Sequence, residues 1–173
     1  DTGSLTFYWD RARMQSQAES LGSEPKVVLD LGCGAGFLPE HWPHGDIIGL
    51  DVSPDLLREA RSRCRYLVGA TAEDMPLRDS CVDAVFARGV LHHVMDPDVM
   101  MREWHRVLKP GGIAVLSDPR AFAPLERLKK LLRKEDPMYA DTHRAFGREE
   151  YRSLIERGFL EIIRMEDRDP LAL

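Results

Sequence analysis

One short segment constrains the fold of this chain more than any other. Residues 27–31 form an apolar run interrupted by one acid, and three glycines follow at positions 32, 34 and 36. Such a run is typical of a strand buried on both faces, and a strand that turns through glycines into a helix presents backbone N–H groups to a ligand. Glycine suits the turn because a Cβ would obstruct both the bend and the ligand. The segment therefore predicts a ligand-binding strand–turn–helix unit.

Strand and helix patterns alternate along the rest of the chain. Further strands are predicted over residues 46–51, 65–69, 81–87, 113–117 and 159–165. Helices are predicted over residues 4–20, 36–41 and 121–134, from Pro54, from Pro97 to a stop at 109–112, and around 151–155 with Gly158 as the cap. Alternation of this kind produces right-handed βαβ crossovers. We therefore expect an α/β fold with a doubly wound, mostly parallel sheet and helices on both faces.

Length and composition indicate one soluble globular domain. We expect residues 1–22 to form an N-terminal helix or lid, and residues 23–173 to form the main domain, with an insertion at about 119–147. The formal net charge of −5 argues against a nucleic-acid partner. Three cysteines without metal-type spacing, no signal peptide and no transmembrane segment favour a cytoplasmic protein without a metal. The oligomeric state has no signal in the sequence.

The acid inside the first strand bears on the kind of ligand. Asp30 would place negative charge beside the phosphates of a dinucleotide, which is unfavourable. The dinucleotide fingerprint Gly-x-Gly-x-x-Gly also needs its third glycine at position 37, where this chain has Phe37. Asp51 can accept hydrogen bonds from ribose hydroxyls in either case. A ligand with an amino-acid head and a nucleoside tail fits these residues better than a nicotinamide cofactor.

Five segments in order resemble the motifs of class I S-adenosylmethionine-dependent methyltransferases of the small-molecule type. They are residues 30–36, 49–54, 72–77, 82–86 with 90–94, and 103–112. The resemblance implies a Rossmann-like methyltransferase fold, S-adenosylmethionine as cofactor with S-adenosylhomocysteine as product, and a small-molecule or lipid-like acceptor. The family sheet has seven strands, and only one strand fits after the last helix of this chain. We therefore expect the sheet to lack its last strand.

Carried over by position, the resemblance also implies which residues hold the cofactor. These are Asp30, Leu31, Gly32, Cys33, Gly34, Gly36, Asp51, Val52, Ala72, Glu73 and Arg88. The glycine turn wraps the methionine portion, and Asp30 lies near its ammonium group. Asp51 holds the ribose and Val52 packs on the adenine, whose edge is bordered by Ala72 and Glu73. Arg88 lends its backbone carbonyl to the amino group of the cofactor.

Methyl transfer from a sulfonium is an in-line displacement, so the protein has mainly to position the acceptor and exclude water. A hydroxyl or carbon acceptor also needs a base, and the resemblance places His93 and His92 beside the cofactor. The alternative is that His93 has a packing or capping role in the turn after the fourth strand. Two other functions stay open: a non-catalytic assembly module with the same fold and, less favoured, a nicotinamide-dependent oxidoreductase.

Overall fold

The computed structural model describes residues 14–118 and 146–166. Its strands are β1 (Val27–Leu31), β2 (Asp46–Asp51), β3 (Tyr66–Gly69), β4 (Val82–Arg88) and β5 (Leu108–Ser117). Its helices are α1 (residues 14–19), α2 (Leu38–His41), α3 (Pro54–Ala60), α4 (Pro97–Val107) and α5 (Arg148–Arg157), with a 3₁₀ turn at Leu91–His93. The strands pair in the order β3-β2-β1-β4-β5, and all the pairs are parallel. The predicted α/β, doubly wound fold is confirmed.

Each face of the sheet is covered by helices because successive strand residues point to opposite sides. On one side Val28 and Phe86 pack against α1 and α2, including the buried Trp42. On the other side the apolar residues of β1 and β4 pack against α4 and α5. That second cluster includes Leu29, Leu31, Val85, Met100, Met101, Trp104 and Leu154. The two buried clusters fix the sheet as the middle layer.

The strand order determines where a ligand can enter. The chain runs from β1 outward through β2 to β3, and then returns to the other side of β1 for β4 and β5. The switch point therefore lies between β1 and β4, and ligands of doubly wound sheets bind beyond the carboxyl ends of the strands at such a point. The glycine turn after β1 opens at this edge.

The fifth strand differs from the prediction. Residues 109–112, expected only to end the preceding helix, lie inside β5, which begins at Leu108 directly after α4. The pairing with β4 shifts between Val82↔Leu108 and Ala84↔Ile113, so the intervening residues bulge. Gly111 has a φ of +78°, and a Cβ at Gly112 would lie 2.9 Å from the carbonyl oxygen of Lys109. Glycine at these two positions therefore allows the bulge to form.

The end of α5 gives one further correction. The prediction of a strand over residues 159–165 is wrong, since no strand is assigned there. Phe159 instead adopts a φ of +60°, donates to Glu156 and is followed by Leu160, which donates to Ile155. These two bonds form a Schellman cap in which Gly158 is the C-cap residue, as predicted, and Phe159 is the left-handed residue. Gly158 has an ordinary φ of −77°.

Several predicted segments lie wholly or partly outside the described residues. They include the helix over 121–134, most of the insertion at 119–147 and the first part of the predicted lid. Residues 14–19 of that lid are helical, and the Gln17 side-chain amide donates to the hydroxyl of Ser117 at the end of β5. In the two described stretches, no helix has the length and apolar character needed to cross a membrane.

Candidate functional site

The turn after β1 depends on glycine for two different reasons. Gly32, Gly34 and Gly36 all have positive φ, at 66°, 54° and 76°. A Cβ at Gly32 would lie 2.4 Å from a methyl carbon of Val90, and one at Gly36 would lie 2.7 Å from the sulfur of Cys64. A Cβ at Gly34 would meet no atom of the described residues within 4 Å. Glycine is therefore needed at positions 32 and 36 because tight packing leaves no room for a side chain. Gly34 instead leaves open space at the edge of the sheet.

Asp30 is the most unusual ionisable group of the site. Its side chain is buried at 4% exposure, and its Oδ2 atom has no hydrogen-bond partner among the described residues. Burial, with a smaller effect from the charge of Asp51, raises the pKa of Asp30 from 3.8 to about 8. A buried carboxylate without a partner is costly, so a cationic ligand group at this position would be strongly favoured.

Asp51 ties the glycine turn to the end of β2. Its Oδ2 accepts the backbone N–H of Gly34 at 2.9 Å, and its Oδ1 accepts the N–H of Ser53 at 2.8 Å. The hydroxyl oxygen of Ser53 in turn accepts from Leu56 and caps α3. Each carboxylate oxygen of Asp51 has capacity for a second hydrogen bond. The acid is therefore fixed in place and can still accept from ligand hydroxyls.

Cys33 and Val52 differ sharply in exposure. The Cys33 thiol is buried, and burial followed by the charge of Asp30 raises its pKa well above the ordinary range. A Cβ at Gly49 would lie 2.9 Å from its sulfur, so Cys33 fills the space over that glycine. Val52, directly after Asp51, is 67% exposed. An exposed valine at this edge offers an apolar surface to a flat ring.

Side chains of α4 hold the loop that carries Ala72 and Glu73. Arg106 donates to the carbonyl oxygens of Leu77 and Met75, and it forms a fork with Glu103. Glu103 also accepts the N–H of Met75 at 2.9 Å. Ala72 is buried at the rim, while Oε1 of Glu73 accepts the N–H of Met95 at 2.9 Å before α4. The side chain of Glu73 therefore has a structural partner in addition to its predicted role.

The ends of β4 and β5 bring together His92 and a residue that the sequence did not single out, Asp118. Arg88 ends β4 beside Ser117, and the N–H of Gly89 donates to the carbonyl oxygen of Ser117 at 2.7 Å. Nδ1 of His92 is hydrogen-bonded to Oδ1 of Asp118. The only sequence signal for Asp118 was its place directly after an apolar strand at the ligand edge.

His93 is more exposed than its neighbour. Its ring stacks at 3.9 Å on that of His92, with 42° between the planes. The histidine pair predicted from the sequence is thus together in one turn, and the Asp118 carboxylate distinguishes His92 from His93. The structure also brings Asp30, the glycine turn, Asp51 and Val52 to the same edge, at the ends of the adjacent strands β1 and β2.

These features fit S-adenosylmethionine. Its ammonium group would meet the unpartnered oxygen of Asp30, and its ribose would reach the remaining acceptor capacity of Asp51. The open space at Gly34 leaves room for a ligand close to the backbone. Phe37 stands where a dinucleotide motif needs glycine, and its half-exposed ring lies 4.5 Å from the guanidinium of Arg63. The nicotinamide alternative therefore fits less well.

Comparison with known proteins agrees with this geometry. The family model for the methyltransferase domain, Methyltransf_11, matches residues 29–116. A malonyl-[acyl-carrier protein] O-methyltransferase from Xylella fastidiosa is 28% identical over 68% of this chain and 43% of that protein. A trans-aconitate 2-methyltransferase from Azoarcus sp. is 33% identical over 60% of this chain and 44% of that protein. The chain thus spans less than half the length of these curated relatives.

Solved structures show the same architecture. The YcgJ protein from Bacillus subtilis superposes with a TM-score of 0.71 at 26% identity, covering 86% of this chain and 68% of that one. A SAM-dependent methyltransferase from Thermotoga maritima has a TM-score of 0.70 at 24% identity, covering 89% and 72%, and this likeness concerns the fold. With the family model matching half of its length, the chain belongs to the methyltransferase domain family of class I S-adenosylmethionine-dependent methyltransferases.

Proposed function

We propose that this chain binds S-adenosylmethionine at the carboxyl ends of β1 and β2 and transfers its methyl group to a small-molecule or lipid-like acceptor. The observation that carries the proposal is Asp30. Its carboxylate is buried, one of its oxygens has no partner in the described structure, and the glycine turn begins two residues later. A cationic amino group supplied by the cofactor would stabilise the ionised form of this buried acid.

The remaining contacts follow from the positions of the site residues. Leu31, Gly32, Cys33, Gly34 and Gly36 would line the methionine portion through their backbone. Asp51 would accept from the ribose, and the exposed Val52 and the buried Ala72 would border the adenine, with Glu73 beside them. The carbonyl of Arg88 would share the amino group with Asp30. When bound, the cofactor supplies an electrophilic methyl group, and the protein orients the acceptor toward it.

The comparisons support the acceptor class only broadly. The two curated relatives are named for methylation of malonyl-acyl-carrier protein and of trans-aconitate, which favours a metabolite-sized group over a macromolecular surface. The net charge of −5 also disfavours nucleic acid as the acceptor. Sequence and charge therefore agree on a small organic acceptor.

Calorimetric titration with S-adenosylhomocysteine and with NAD tests the cofactor assignment. We expect binding of the first and none of the second. Asp51→Ala should weaken binding by about 10- to 100-fold, because it removes charge-assisted hydrogen bonds to the ribose. Asp55→Ala is the matched control, since Asp55 is exposed on α3 and pairs only locally with Arg58 in the described structure. Binding of NAD alone would overturn the proposal.

Turnover separates an enzyme from a non-catalytic module with the same fold. Transfer of a labelled methyl group from S-adenosylmethionine should be detected with members of a mixed panel of hydroxyl, carboxylate and amine compounds. Tight binding of S-adenosylhomocysteine without transfer to any member of a broad panel would favour the module.

A further inference from the structure

Tyr151 combines a ring that is held firmly with a hydroxyl that the fold does not use. It lies in the first turn of α5, and its ring is 5.6 Å from that of Phe146, with 49° between the planes. Phe146 precedes the N-cap residue Gly147, so the two rings form the hydrophobic staple of this helix start. Glu150 accepts the N–H of Gly147 at 2.8 Å and caps the same turn. The start of α5 therefore fixes the position of the Tyr151 ring.

The staple accounts for the ring of Tyr151 and not for its hydroxyl. A phenylalanine at this position would pack against Phe146 in the same way, because the staple needs only apolar contact. The hydroxyl oxygen is buried and has no hydrogen-bond partner in the described part of the chain. A buried polar group without a partner costs free energy of folding. The hydroxyl is therefore better explained by a ligand than by the fold.

The hydroxyl of Tyr151 lies toward the ligand edge of the sheet. Burial, followed by the charge of Asp118, raises the pKa of Tyr151 above its ordinary range, and Asp118 is the residue directly after β5. The proposed cofactor occupies the ends of β1 and β2, with its amino group beside the end of β4. The ends of β4 and β5 are adjacent and remain for the acceptor. Tyr151 is therefore on the acceptor side of the proposed site.

Asp118 does not satisfy this hydroxyl. Its Oδ2 accepts the backbone N–H groups of Val90 at 3.2 Å and Leu91 at 3.0 Å. Its Oδ1 accepts the backbone N–H of His92 at 3.3 Å and is also hydrogen-bonded to Nδ1 of that residue. Each carboxylate oxygen thus has two partners, which fills its two lone-pair directions. The O–H of Tyr151 is left to donate to a different oxygen.

We propose that the Tyr151 hydroxyl donates a hydrogen bond to an uncharged hydroxyl or carbonyl oxygen of the methyl acceptor, and that the acceptor is a neutral, partly apolar compound. The inference rests on the proposed function and deepens it. The raised pKa keeps the phenol protonated near neutral pH, so it is available as a donor. The charge of Asp118 would repel an acceptor carboxylate held beside it. Tyr151 is thus a specificity-determining residue.

Tyr151→Phe tests the proposal because it removes the hydroxyl and keeps the staple. Labelled methyl transfer from saturating S-adenosylmethionine is measured on phenols, alcohols and amines, each paired with its carboxylate-bearing counterpart. The parent protein should prefer the neutral member of a pair. For the best acceptor, Tyr151→Phe should raise KM by about 3- to 10-fold, the contribution of one neutral hydrogen bond to binding. Its kcat should change by less than about twofold, because the bond is made equally in the ground and transition states.

Two further measurements separate this role from a structural one. Affinity for S-adenosylhomocysteine should be unchanged in Tyr151→Phe, and its Tm should equal or exceed that of the parent, since a buried group without a partner is removed. Tyr66→Phe is the matched control, because Tyr66 is 40% exposed at the start of β3, and it should alter neither KM nor Tm.

The outcomes for the inference and for the proposed function are distinct. An unchanged KM in Tyr151→Phe, a lowered Tm, or transfer confined to carboxylate-bearing compounds would overturn the inference and leave the proposed function intact. Failure of the parent protein to bind S-adenosylhomocysteine, or transfer to no member of the panel, would overturn the proposed function and this inference with it.

Discussion

The backbone N–H of Gly34 donates to Oδ2 of Asp51 at 2.9 Å, so the turn after β1 is joined to the acid after β2. This contact holds Gly34, the most open part of the turn, beside Asp51, which we propose binds the ribose. Gly34 itself has a φ of +54°, and a Cβ added to it would have no atom of the described residues within 4 Å. The proposed function places the methionine portion of the cofactor in the space over this residue.

Gly34→Ala should fold and yet fail to bind the cofactor. The added methyl group meets no atom of the described residues, so the cost to the free energy of unfolding is mainly that of a left-handed alanine, about 1 kcal/mol. Gly22→Ala is a matched control, because Gly22 has a φ of +67° and equally open surroundings. Thermal unfolding should shift alike in the two variants, whereas calorimetry should show lost binding of S-adenosylhomocysteine only for Gly34→Ala. Equal binding by both variants would contradict the assignment of this space.

Asp30 should make the stability of the ligand-free protein fall as pH rises. The folded chain keeps a proton on Asp30 up to a pKa of about 8, whereas the unfolded chain releases it near 3.8. The folded state therefore binds more protons between these values, and its stabilising contribution is lost as pH rises through about 8. Asp30→Asn should flatten this dependence in chemical denaturation series, while Asp55→Asn, exposed on α3, should not. A dependence unchanged by Asp30→Asn would show that Asp30 ionises normally.

The raised pKa of Asp30 also predicts that a proton is released when the cofactor binds. Near pH 7 Asp30 is mostly protonated, and a cationic amino group beside it favours the ionised form. Binding of S-adenosylhomocysteine should therefore release a proton at pH 7, approaching one per site, and almost none at pH 9. Calorimetry in buffers of different ionisation enthalpy measures this number. Binding heats independent of the buffer at pH 7 would argue against contact between Asp30 and the amino group.

Arg106 should control the order of the loop that carries Ala72. Its guanidinium donates to Glu103, Asp79 and the carbonyl oxygens of Met75 and Leu77, a geometry that the single ammonium of lysine cannot reproduce. Arg106→Lys should lower the free energy of unfolding by about 1–3 kcal/mol and speed hydrogen exchange at the Met75 amide. The exposed Arg102→Lys on the same helix should do neither. Slow exchange in both variants would mean that the loop is held by other contacts.

Gly158 and Phe159 should respond in opposite directions to substitution. A Cβ at Gly158 would lie 2.7 Å from that of Met101, so Gly158→Ala should force α5 away from α4 and lower the free energy of unfolding by about 1–3 kcal/mol. Phe159 is 77% exposed in a left-handed conformation, so Phe159→Gly should raise stability by about 0.5–1 kcal/mol. Urea unfolding of both variants checks the pair. Destabilisation by Phe159→Gly would mean that its ring contact with His105 outweighs the strain.

Local pattern was enough to predict the parallel sheet and the glycine turn, because apolar runs and glycines encode them within a few residues. Local pattern did not predict the tight packing at Gly158 or the left-handed conformation of Phe159. The close approach of Met101 to Gly158 is a tertiary contact, so residues near Gly158 in the sequence do not indicate it. Asp118 was missed for a similar reason. It lies 26 positions from His92, and only the pairing of β4 with β5 brings the two side chains together.

A crystal structure of the complex with S-adenosylhomocysteine tests most directly where the cofactor lies, and the proposed function depends on that position. The prediction is that its amino group lies within hydrogen-bonding distance of Asp30, directly or through one water, while its ribose hydroxyls donate to Asp51. The backbone of Gly34 should approach the methionine portion. Density for the ligand away from the ends of β1 and β2, or a ribose that does not touch Asp51, would contradict the account.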